Sequence, residues 1–443
     1  MKRFVRRLLI GIAITAGAVA VLAAVWYLML DPYRGTKSRA SLEQTRPTGQ
    51  TLSREQAQED LRFLAARIEE RHVAAIHGLP DAVKQQLAKE IDSLPQSPTV
   101  LDVWQAGSRI VKHLGDAHTS VSFYSTAKST KRLEQQFIVT STGALVCQTE
   151  PYASRRPVSI GDIGIEELYS RFLAMYSYEN APWADHKFPA YIRSAEKLAW
   201  LGVQTDGSVP VLFEGDDKPV YLPFVEPPGN DDAAPDFVRY EIDRDRSLGI
   251  LTLDQCNLNQ HYRDVVRQFF TDVKAAGVHS IAVDLRNNGG GNSGVANEFM
   301  RYLPVKNYTS FGARMRMGPF LTDSKPEKRE NTRVGDLEFD GHVYVLTGRG
   351  TFSSAMWFVV ILRDNGLCQV IGQPPGNRPS AYGDVLLFQM PNSALAFSVT
   401  YKQFSRPDQT KDGESALQPD YPTEITETGD EVMEKLYQVA AAD

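Results

Sequence analysis

The stretch "VYVLTGRGTFSSAMWFVVIL" (Val343–Leu362) joins two apolar runs through a short turn that contains glycine. The first run, Val343–Leu346, predicts a buried strand, and the second has the character of a buried helix. Ser353 and Ser354 lie where the two meet. A serine at this position can cap the helix, because its oxygen accepts a hydrogen bond from an unpaired N–H of the first turn. It can equally be a nucleophile held at the positive end of the helix.

The sequence on both sides of this stretch alternates between strand-like and helix-like runs. The runs "LGILTLD", "IAVDLR" and "CQVIGQ" predict further strands, and "HYRDVVRQFFTDVKAAG" predicts an amphipathic helix. Apolar strands that alternate with helices predict a largely parallel sheet covered on both faces. The predicted fold class is therefore α/β.

The region before this α/β part divides into two. "SREQAQEDLRFLAARIEERH" has Ser53 as a candidate helix cap and apolar residues spaced mostly three or four apart, which predicts a helix. A polar, proline-rich break at 226–236 is the strongest boundary signal in the chain. The predicted division is a stub and anchor (1–30), a linker (31–50), a helical domain (51–125), a mixed α/β segment (126–236), a core (237–427) and a C-terminal helix (428–443).

The N-terminus predicts membrane attachment. Four basic residues precede an uncharged segment from Leu8 to Leu30, which at about 1.5 Å per residue spans roughly 35 Å and can cross a bilayer. A cleaved signal peptide usually has a shorter apolar core, so an uncleaved signal anchor through residues 8–30 is favoured. The positive flank predicts that the rest of the chain is extracytoplasmic, at the cell surface or in the periplasm.

Composition excludes several function classes. The formal charge is −6, from 48 basic and 54 acidic residues, so nucleic-acid binding has no electrostatic support. Cys147, Cys256 and Cys368 are far apart without a Cys-x-x-Cys pair, so neither a zinc site nor a redox motif is indicated. No metal or organic cofactor is expected, and the sequence does not predict an oligomeric state.

Two further motifs can supply chemistry. "VDLRNNGGGNSG" (Val283–Gly294) follows a predicted strand, and its three glycines allow backbone N–H groups to approach a ligand, as in an oxyanion hole. A plain tight turn is the alternative. "KHLGDAHTSVSF" (Lys112–Phe123) places His118 just after a predicted helix. A lone histidine is more often structural, but acyl transfer needs a nucleophile, a base and amides for the oxyanion, and these three motifs offer all of them.

The motifs "LGDAHTS", "IAVDLRNNGGGNS" and "TFSSA", followed by "MPNS" and "LQPDYP", occur in one order along the chain. In this order they resemble the tail-specific (C-terminal processing) serine protease family, over roughly residues 51–427. The resemblance implies a core related to the crotonase-type (ClpP/crotonase) spiral, a helical domain and often a PDZ-like domain, of which only a degenerate tail remains here in "RRPVSIGDIGIEEL". It implies hydrolysis of peptide bonds in a protein or peptide substrate.

The resemblance also implies roles for individual residues. Ser353 matches the nucleophile, the N–H of Ser354 matches one half of the oxyanion hole, and Gly289, with Gly290 as its neighbour, matches the other half. In one branch of the family a lysine is the general base. The corresponding stretch here, "PPGNRPSAYG", has Arg378 and no lysine, and arginine stays protonated in proteins.

The tricorn-type branch of the family uses a histidine base instead, and His118 matches it. Ala117 stands where that branch has an orienting serine, so the support of the histidine is altered, and Glu414 and Asp116 are the candidate orienters. An ordinary imidazole base predicts activity that falls below roughly pH 6.5. The alternative function is an exported binding protein that keeps this fold without catalysis.

Overall fold

The computed structural model describes residues 2–125, 131–226 and 236–442. The break predicted at 226–236 therefore lies, except for its two end residues, outside the described part. The helices, numbered along the chain, are α1 (Lys2–Val25), α2 (Arg54–Arg71), α3 (Asp81–Ser93), α4 (Val100–Lys112), α5 (Ile165–Met175), α6 (Ala181–Ile192), α7 (Ala195–Trp200), α8 (Gln260–Ala276), α9 (Gly294–Met300), α10 (Ser354–Asp364) and α11 (Val432–Ala440).

The strands are numbered in the same way. They are β1 (Ser120–Ser122), β2 (Arg132–Leu133), β3 (Phe137–Val139), β4 (Leu145–Cys147), β5 (Pro157–Ile160), β6 (Ile163–Gly164), β7 (Ser208–Phe213), β8 (Val220–Val225), β9 (Val238–Asp243), β10 (Leu248–Leu253), β11 (Ser280–Asp284), β12 (Asn307–Thr309), β13 (Gly312–Met317), β14 (Phe320–Ser324), β15 (Lys328–Glu330), β16 (His342–Thr347), β17 (Gln369–Gly372), β18 (Tyr382–Gln389), β19 (Ala396–Ser405), β20 (Tyr421–Pro422), β21 (Ile425–Thr426) and β22 (Gly429–Asp430).

A six-stranded sheet in the order β20-β17-β16-β11-β10-β9 forms the centre of the α/β part. Its strands are parallel except for β9, which pairs antiparallel with β10. Helices α8, α9 and α10 share one apolar core with one face of the sheet, and α11 shares a second core with the other face. Both faces are therefore covered, which explains why β10, β11 and β16 are almost continuously apolar.

A second sheet, β1-β19-β13-β14 with β18 also paired to β19, packs beside the central one. The long strand β19 joins it to the N-terminal helices, because α2 and α4 share a hydrophobic core with residues of β18 and β19. Helix α2 begins as the sequence predicts, since the Ser53 hydroxyl accepts a hydrogen bond from the N–H of Gln56 in a capping box. Strand β1 follows α4 through the short connection that carries His118.

Residues 131–226 form an antiparallel sheet, β2-β8-β7-β5-β6, together with α5, α6 and α7. Its apolar residues belong to the same core as the N-terminal helices, so the predicted helical domain and the predicted mixed segment pack as one body. Cys147 and Cys256 are buried, Cys368 is partly buried, and all three are free thiols. Helix α6 points from this region toward the central sheet and positions part of the site described below.

The segment 31–50, predicted as a polar linker, lies against the protein. The hydroxyl of Tyr33 is 2.8 Å from that of Tyr401 in β19, and the Lys37 N–H donates to the carbonyl of Leu387 in β18. The Thr45 side chain is buried and donates to the carbonyl of Ala394. Backbone groups take part in two of these three bonds, and polar composition does not reveal such contacts. Before this segment, the apolar stretch Leu9–Leu30 is long enough to cross a membrane and none of it is buried.

Candidate active site

Ser353 lies on a strained turn between β16 and α10. Its backbone has φ 56° and ψ −123°, a region that L-residues other than glycine seldom occupy. The turn is fixed by Thr351, whose hydroxyl donates to the carbonyl of Leu285 and accepts from the N–H of Gly348. The Ser353 N–H donates to the side-chain oxygen of Asn377. This strain, held by several hydrogen bonds, presents the Ser353 hydroxyl above the end of the sheet.

Neither serine caps α10 with its side chain. The Ser353 hydroxyl makes no capping bond although the residue occupies the cap position. The Ser354 hydroxyl donates to the carbonyl of Gly291 at 2.7 Å, and so ties the helix start to the glycine loop. The capping interpretation of the two serines is therefore wrong, and the Ser353 hydroxyl is left facing the cleft.

His118 is the partner of that hydroxyl. Its Nε2 lies 3.0 Å from Ser353 Oγ, although the two residues are far apart in sequence. The connection that carries His118 is fixed by Asp116, whose Oδ1 accepts the His118 backbone N–H at 2.8 Å. The carbonyl of His118 accepts from the hydroxyl of Ser398 in β19. The structure thus brings together the serine and the histidine predicted from separate motifs.

Two buried carboxylates face the other ring nitrogen of His118. Asp116 Oδ1 is 3.7 Å from Nδ1, and Glu179 Oε1 is 3.8 Å from it. The oxygens of Asp116 are already used, because Oδ1 accepts the His118 N–H and Oδ2 accepts from the hydroxyls of Thr119 and Thr400. Burial favours the protonated form of Asp116, but the hydrogen bonds and charges of the neighbouring histidines hold its pKa well below its usual range.

Glu179, in contrast, keeps one oxygen free. Its Oε2 accepts from the Asn377 amide and from the Arg378 N–H. Its Oε1 and the Nδ1 of His118 are buried, and neither has a hydrogen-bond partner within the described residues. Two such atoms, a potential donor and an acceptor 3.8 Å apart, need a movement of about 1 Å to form a normal hydrogen bond. The geometry therefore favours Glu179 as the orienter of His118.

Phe352 packs against the imidazole and is backed by the start of α6. Asn180 caps α6 by accepting the N–H of Trp183, which directs Glu179 inward. The Trp183 ring stacks on Phe352 with centroids 3.9 Å apart, and Phe352 packs against His118 at 4.7 Å. Helix α6 thus reaches the histidine through Phe352, whereas Glu179, two residues before the helix, faces the imidazole directly.

The carboxylates change the proton affinity of His118. Burial lowers the pKa of this imidazole, but the two carboxylates that face Nδ1, first Asp116 and then Glu179, outweigh burial and raise the pKa to about 9. An imidazole with that pKa is mostly protonated at neutral pH. The transition expected from the sequence near pH 6.5 therefore moves to higher pH, because that expectation assumed an imidazole without two adjacent carboxylates.

The glycine loop supplies backbone amides next to Ser353. The N–H of Gly290 is already engaged, since it donates to the side-chain oxygen of Asn288 at 2.8 Å. A Cβ on Gly290 would lie 2.6 Å from the Cβ of Ser353, and one on Gly291 would lie 2.2 Å from the carbonyl oxygen of Cys256. Glycine is therefore required at both positions by close packing.

Of the three glycines, one lines the cleft beside Ser353. The cleft has a volume of about 390 Å³ and is lined by Gly291, Ser353, Ser354 and His118, among others, but by neither Gly289 nor Gly290. The N–H groups of Gly291 and Ser354 have no acceptor in the described ranges. The geometry therefore favours Gly291 over the predicted Gly289 and Gly290 as the loop's contribution to an oxyanion hole.

Glu414 lies away from His118. Its carboxylate accepts from Arg406, a fully buried arginine that also pairs with Asp364. Its charge is thus used to neutralise Arg406, and the structure does not bring Glu414 to the imidazole. Arg378, which stands in the stretch where one branch of the family has its lysine, lines the same cleft as Ser353.

The three residues Asp116, His118 and Glu179 place one ligand atom each within 4.8 Å of one another, a spacing that can hold a metal ion. However, the oxygens of Asp116 already accept hydrogen bonds from protein groups. Only Nδ1 of His118 and Oε1 of Glu179 remain free, fewer than the three or four protein ligands of a typical zinc site. The cluster is accounted for as support of the imidazole.

Comparisons with known proteins relate the chain to a peptidase family and to solved structures of similar fold. Residues 247–423 match the model of Peptidase family S41. No curated protein has a sequence that matches the chain. Among solved structures, mature CPAF complexed with lactacystin is 14% identical, with a TM-score of 0.63 over 88% of this chain and 98% of that one. The photosystem II D1 C-terminal processing protease is also 14% identical, with a TM-score of 0.50 over 87% and 98% of the two chains.

Proposed function

We propose that the chain, a serine peptidase whose residues 247–423 match Peptidase family S41, hydrolyses peptide bonds through an acyl-enzyme on Ser353 with His118 as general base. The observation that carries the proposal is the 3.0 Å separation of Ser353 Oγ and His118 Nε2, with the serine held in a strained turn at the start of α10. A nucleophile within hydrogen-bonding reach of a base is the arrangement that acyl transfer requires.

In the proposed reaction, neutral His118 accepts the proton of the Ser353 hydroxyl as the oxygen attacks the carbonyl carbon of the scissile bond. The N–H groups of Ser354 and Gly291 stabilise the oxyanion that forms. The imidazolium then gives its proton to the leaving amine, and the C–N bond breaks to leave an ester on Ser353. Water then attacks the ester carbonyl as His118 takes its proton, the C–O bond to Ser353 breaks, and the imidazolium returns the proton to Ser353 Oγ as the peptide acid leaves.

Glu179 is proposed as the positioning residue of the base. Its free oxygen faces Nδ1 of His118, so it holds the ring with Nε2 directed at Ser353 and stabilises the imidazolium. Asp116 fixes the backbone of the same connection. The absence of a lysine from "PPGNRPSAYG" and the position of His118 support assignment to the histidine-base branch of the tail-specific proteases.

The finer architecture is part of the same proposal. The parallel sheet with α8 to α11 corresponds to a crotonase-type core over residues 237–427, and the antiparallel sheet within 126–236 to a degenerate PDZ-like unit. The apolar helix at 8–30 is proposed as an uncleaved signal anchor, with its basic residues on the cytoplasmic side. The peptidase then acts on protein or peptide substrates outside the cytoplasm.

The test of the proposed function is covalent labelling of the full-length chain, kept in detergent, with a fluorophosphonate probe. The probe is expected to modify one serine, and peptide mapping by mass spectrometry is expected to locate the adduct on Ser353 and not on Ser354. An adduct on another serine, or no adduct on well-folded protein, would overturn the proposal. The second result would favour the exported binding protein that keeps the fold without catalysis.

The pH profile gives a first prediction. Because the pKa of His118 is raised to about 9, about 1% of the free enzyme carries the neutral base at pH 7. We expect kcat/KM to rise about tenfold per pH unit between pH 7 and 8 and to level off above about pH 9. Initial rates on a neutral fluorogenic peptide between pH 5.5 and 10 measure this profile. A plateau that begins near pH 7 would contradict a pKa of His118 raised by two adjacent carboxylates.

Glu179→Gln gives a second prediction. Loss of the carboxylate should lower kcat roughly 10- to 100-fold, because the ring of His118 is less well oriented. It should also move the midpoint of the pH profile to lower pH, because a negative charge that raises the pKa of His118 is removed. Glu167→Gln, on the exposed face of α5, is the matched control and should change neither quantity. Loss of activity without a shift of the midpoint would indicate a purely structural role.

A further inference from the structure

Resting on the proposed function, we propose that Arg378 binds a carboxylate of the substrate next to the scissile bond and so selects peptides that carry one there. Arg378 directly follows Asn377, the residue that accepts the N–H of Ser353. It lines the cleft together with Ser353 and His118. A group bound by its side chain therefore lies beside the reacting atoms.

Arg378 is held in a way that leaves its terminal nitrogens free. Its backbone N–H donates to Oε2 of Glu179 at 3.1 Å, and its Nε donates to the Glu179 carbonyl at 3.3 Å. In the described part of the chain, no acceptor is recorded for either terminal nitrogen and no carboxylate forms an ion pair with the guanidinium. The two terminal nitrogens of this cleft-lining side chain are thus available to bind the two oxygens of a carboxylate.

The other charged groups around the cleft are compensated. Asp384, which also lines it, pairs with Lys402 at 2.6 Å. Glu179 directs Oε2 to the Asn377 amide and to the Arg378 backbone and faces His118 with Oε1. Among the described residues, the guanidinium is therefore the charge that faces the cleft without a counter-ion. An anionic group of the substrate would neutralise it.

The surroundings of Arg378 indicate how a peptide would reach it. The cleft wall at the start of α10 is apolar, with Phe311 stacked on Trp357 at 4.8 Å and Met356 beside them. Arg378 and Phe404 also line a neighbouring cavity of about 880 Å³. A peptide that leaves the cleft toward this cavity passes the guanidinium. A side-chain carboxylate and a free C-terminal carboxylate can both make the contact.

The experiment uses the full-length enzyme in detergent and a set of quenched fluorescent peptides of one parent sequence. One pair differs only by Glu or Gln next to the scissile bond, and another differs only by a free or amidated C-terminus near it. We expect kcat/KM to be about tenfold higher for the carboxylate form of at least one pair, mainly through KM. The pair that shows the preference identifies the source of the carboxylate.

Arg378→Gln should abolish this preference. Arg378→Lys should keep part of it, because lysine retains the positive charge but lacks the paired N–H groups of the guanidinium. Arg314→Gln is the matched control: Arg314 lines only the neighbouring cavity, pairs with Asp323, and its loss should preserve the preference. The ratio of the two rates within one variant does not depend on how much of the enzyme is folded. Increasing salt should reduce the preference in wild type.

The outcomes separate this inference from the function on which it rests. Labelled Ser353 with equal rates on both members of each pair would overturn the inference and leave the peptidase intact. A preference that survives in Arg378→Gln would overturn it as well. If Arg378→Gln instead moved the pH midpoint and slowed all peptides equally, Arg378 would support Glu179 and not the substrate. Failure to label Ser353 would overturn both proposals.

Discussion

Ser353→Ala is expected to lower kcat by roughly 10³-fold or more on any peptide substrate, and to abolish labelling by the fluorophosphonate. The side chain of Ser353 makes no structural hydrogen bond to the helix, and its Oγ contacts His118 Nε2. Its removal therefore deletes the nucleophile without disturbing the packing. Near-ultraviolet circular dichroism and the melting temperature should be close to those of wild type.

The matched variant is Ser354→Ala. It removes the hydroxyl that bonds to the carbonyl of Gly291 but keeps the backbone N–H that faces the cleft. We expect a loss of at most about tenfold, because the oxyanion donor remains and only its positioning is loosened. If Ser353→Ala retained more than a tenth of the wild-type rate while Ser354→Ala did not, the nucleophile would be Ser354 and not Ser353.

His118→Ala should be almost as damaging as Ser353→Ala. Without the imidazole, no described group accepts the proton of the Ser353 hydroxyl, and a serine with its ordinary pKa is a poor nucleophile at neutral pH. A loss of roughly 10³-fold in kcat is expected, together with loss of labelling at pH 7. The residual rate should also lose the transition near pH 9, because the titrating group is gone.

His113→Gln is the control for this change. His113 lies at the exposed end of α4, only a few residues before His118, so its variant reports any general effect of altering this connection. It should leave the rate and the pH profile unchanged. Persistent labelling in His118→Ala, with labelling lost in Ser353→Ala, would show that another group is the base.

Sequence patterns locate the reacting pair because each member lies at a recognisable transition between elements. The strand-to-helix junction predicts where Ser353 lies in the fold, and α10 begins at Ser354 as expected. His118 follows α4 in a short polar connection. The separation of 3.0 Å between them depends on the pairing of β1 with β19 and on the tertiary packing of distant parts of the chain, which no local pattern encodes. Their catalytic roles stay predictions.

The residue that faces the second ring nitrogen of His118 could not be predicted from such local patterns. Glu179 is distant from His118 in sequence and precedes α6 in "YSYENAPW", where only Asn180 as a cap and the following proline predict a helix start. Nothing in that pattern indicates that the preceding glutamate turns inward. The choice among the three glycines likewise depends on backbone direction, since Gly290 uses its N–H within the loop. Glu414, a candidate by sequence, is used by Arg406.

The docked segment between the apolar helix and α2 has one more consequence. Tyr33 is hydrogen-bonded to Tyr401, and Lys37 is hydrogen-bonded to Leu387. The backbone of Met29 lies so close to Gly318 that a Cβ on Gly318 would be 1.8 Å from the carbonyl oxygen of Met29. In the proposed topology, this segment acts as a fixed spacer that holds the cleft at one height above the bilayer. The cleft then does not move toward or away from the membrane. A substrate must therefore extend far enough from the membrane, or arrive from solution, to be cut.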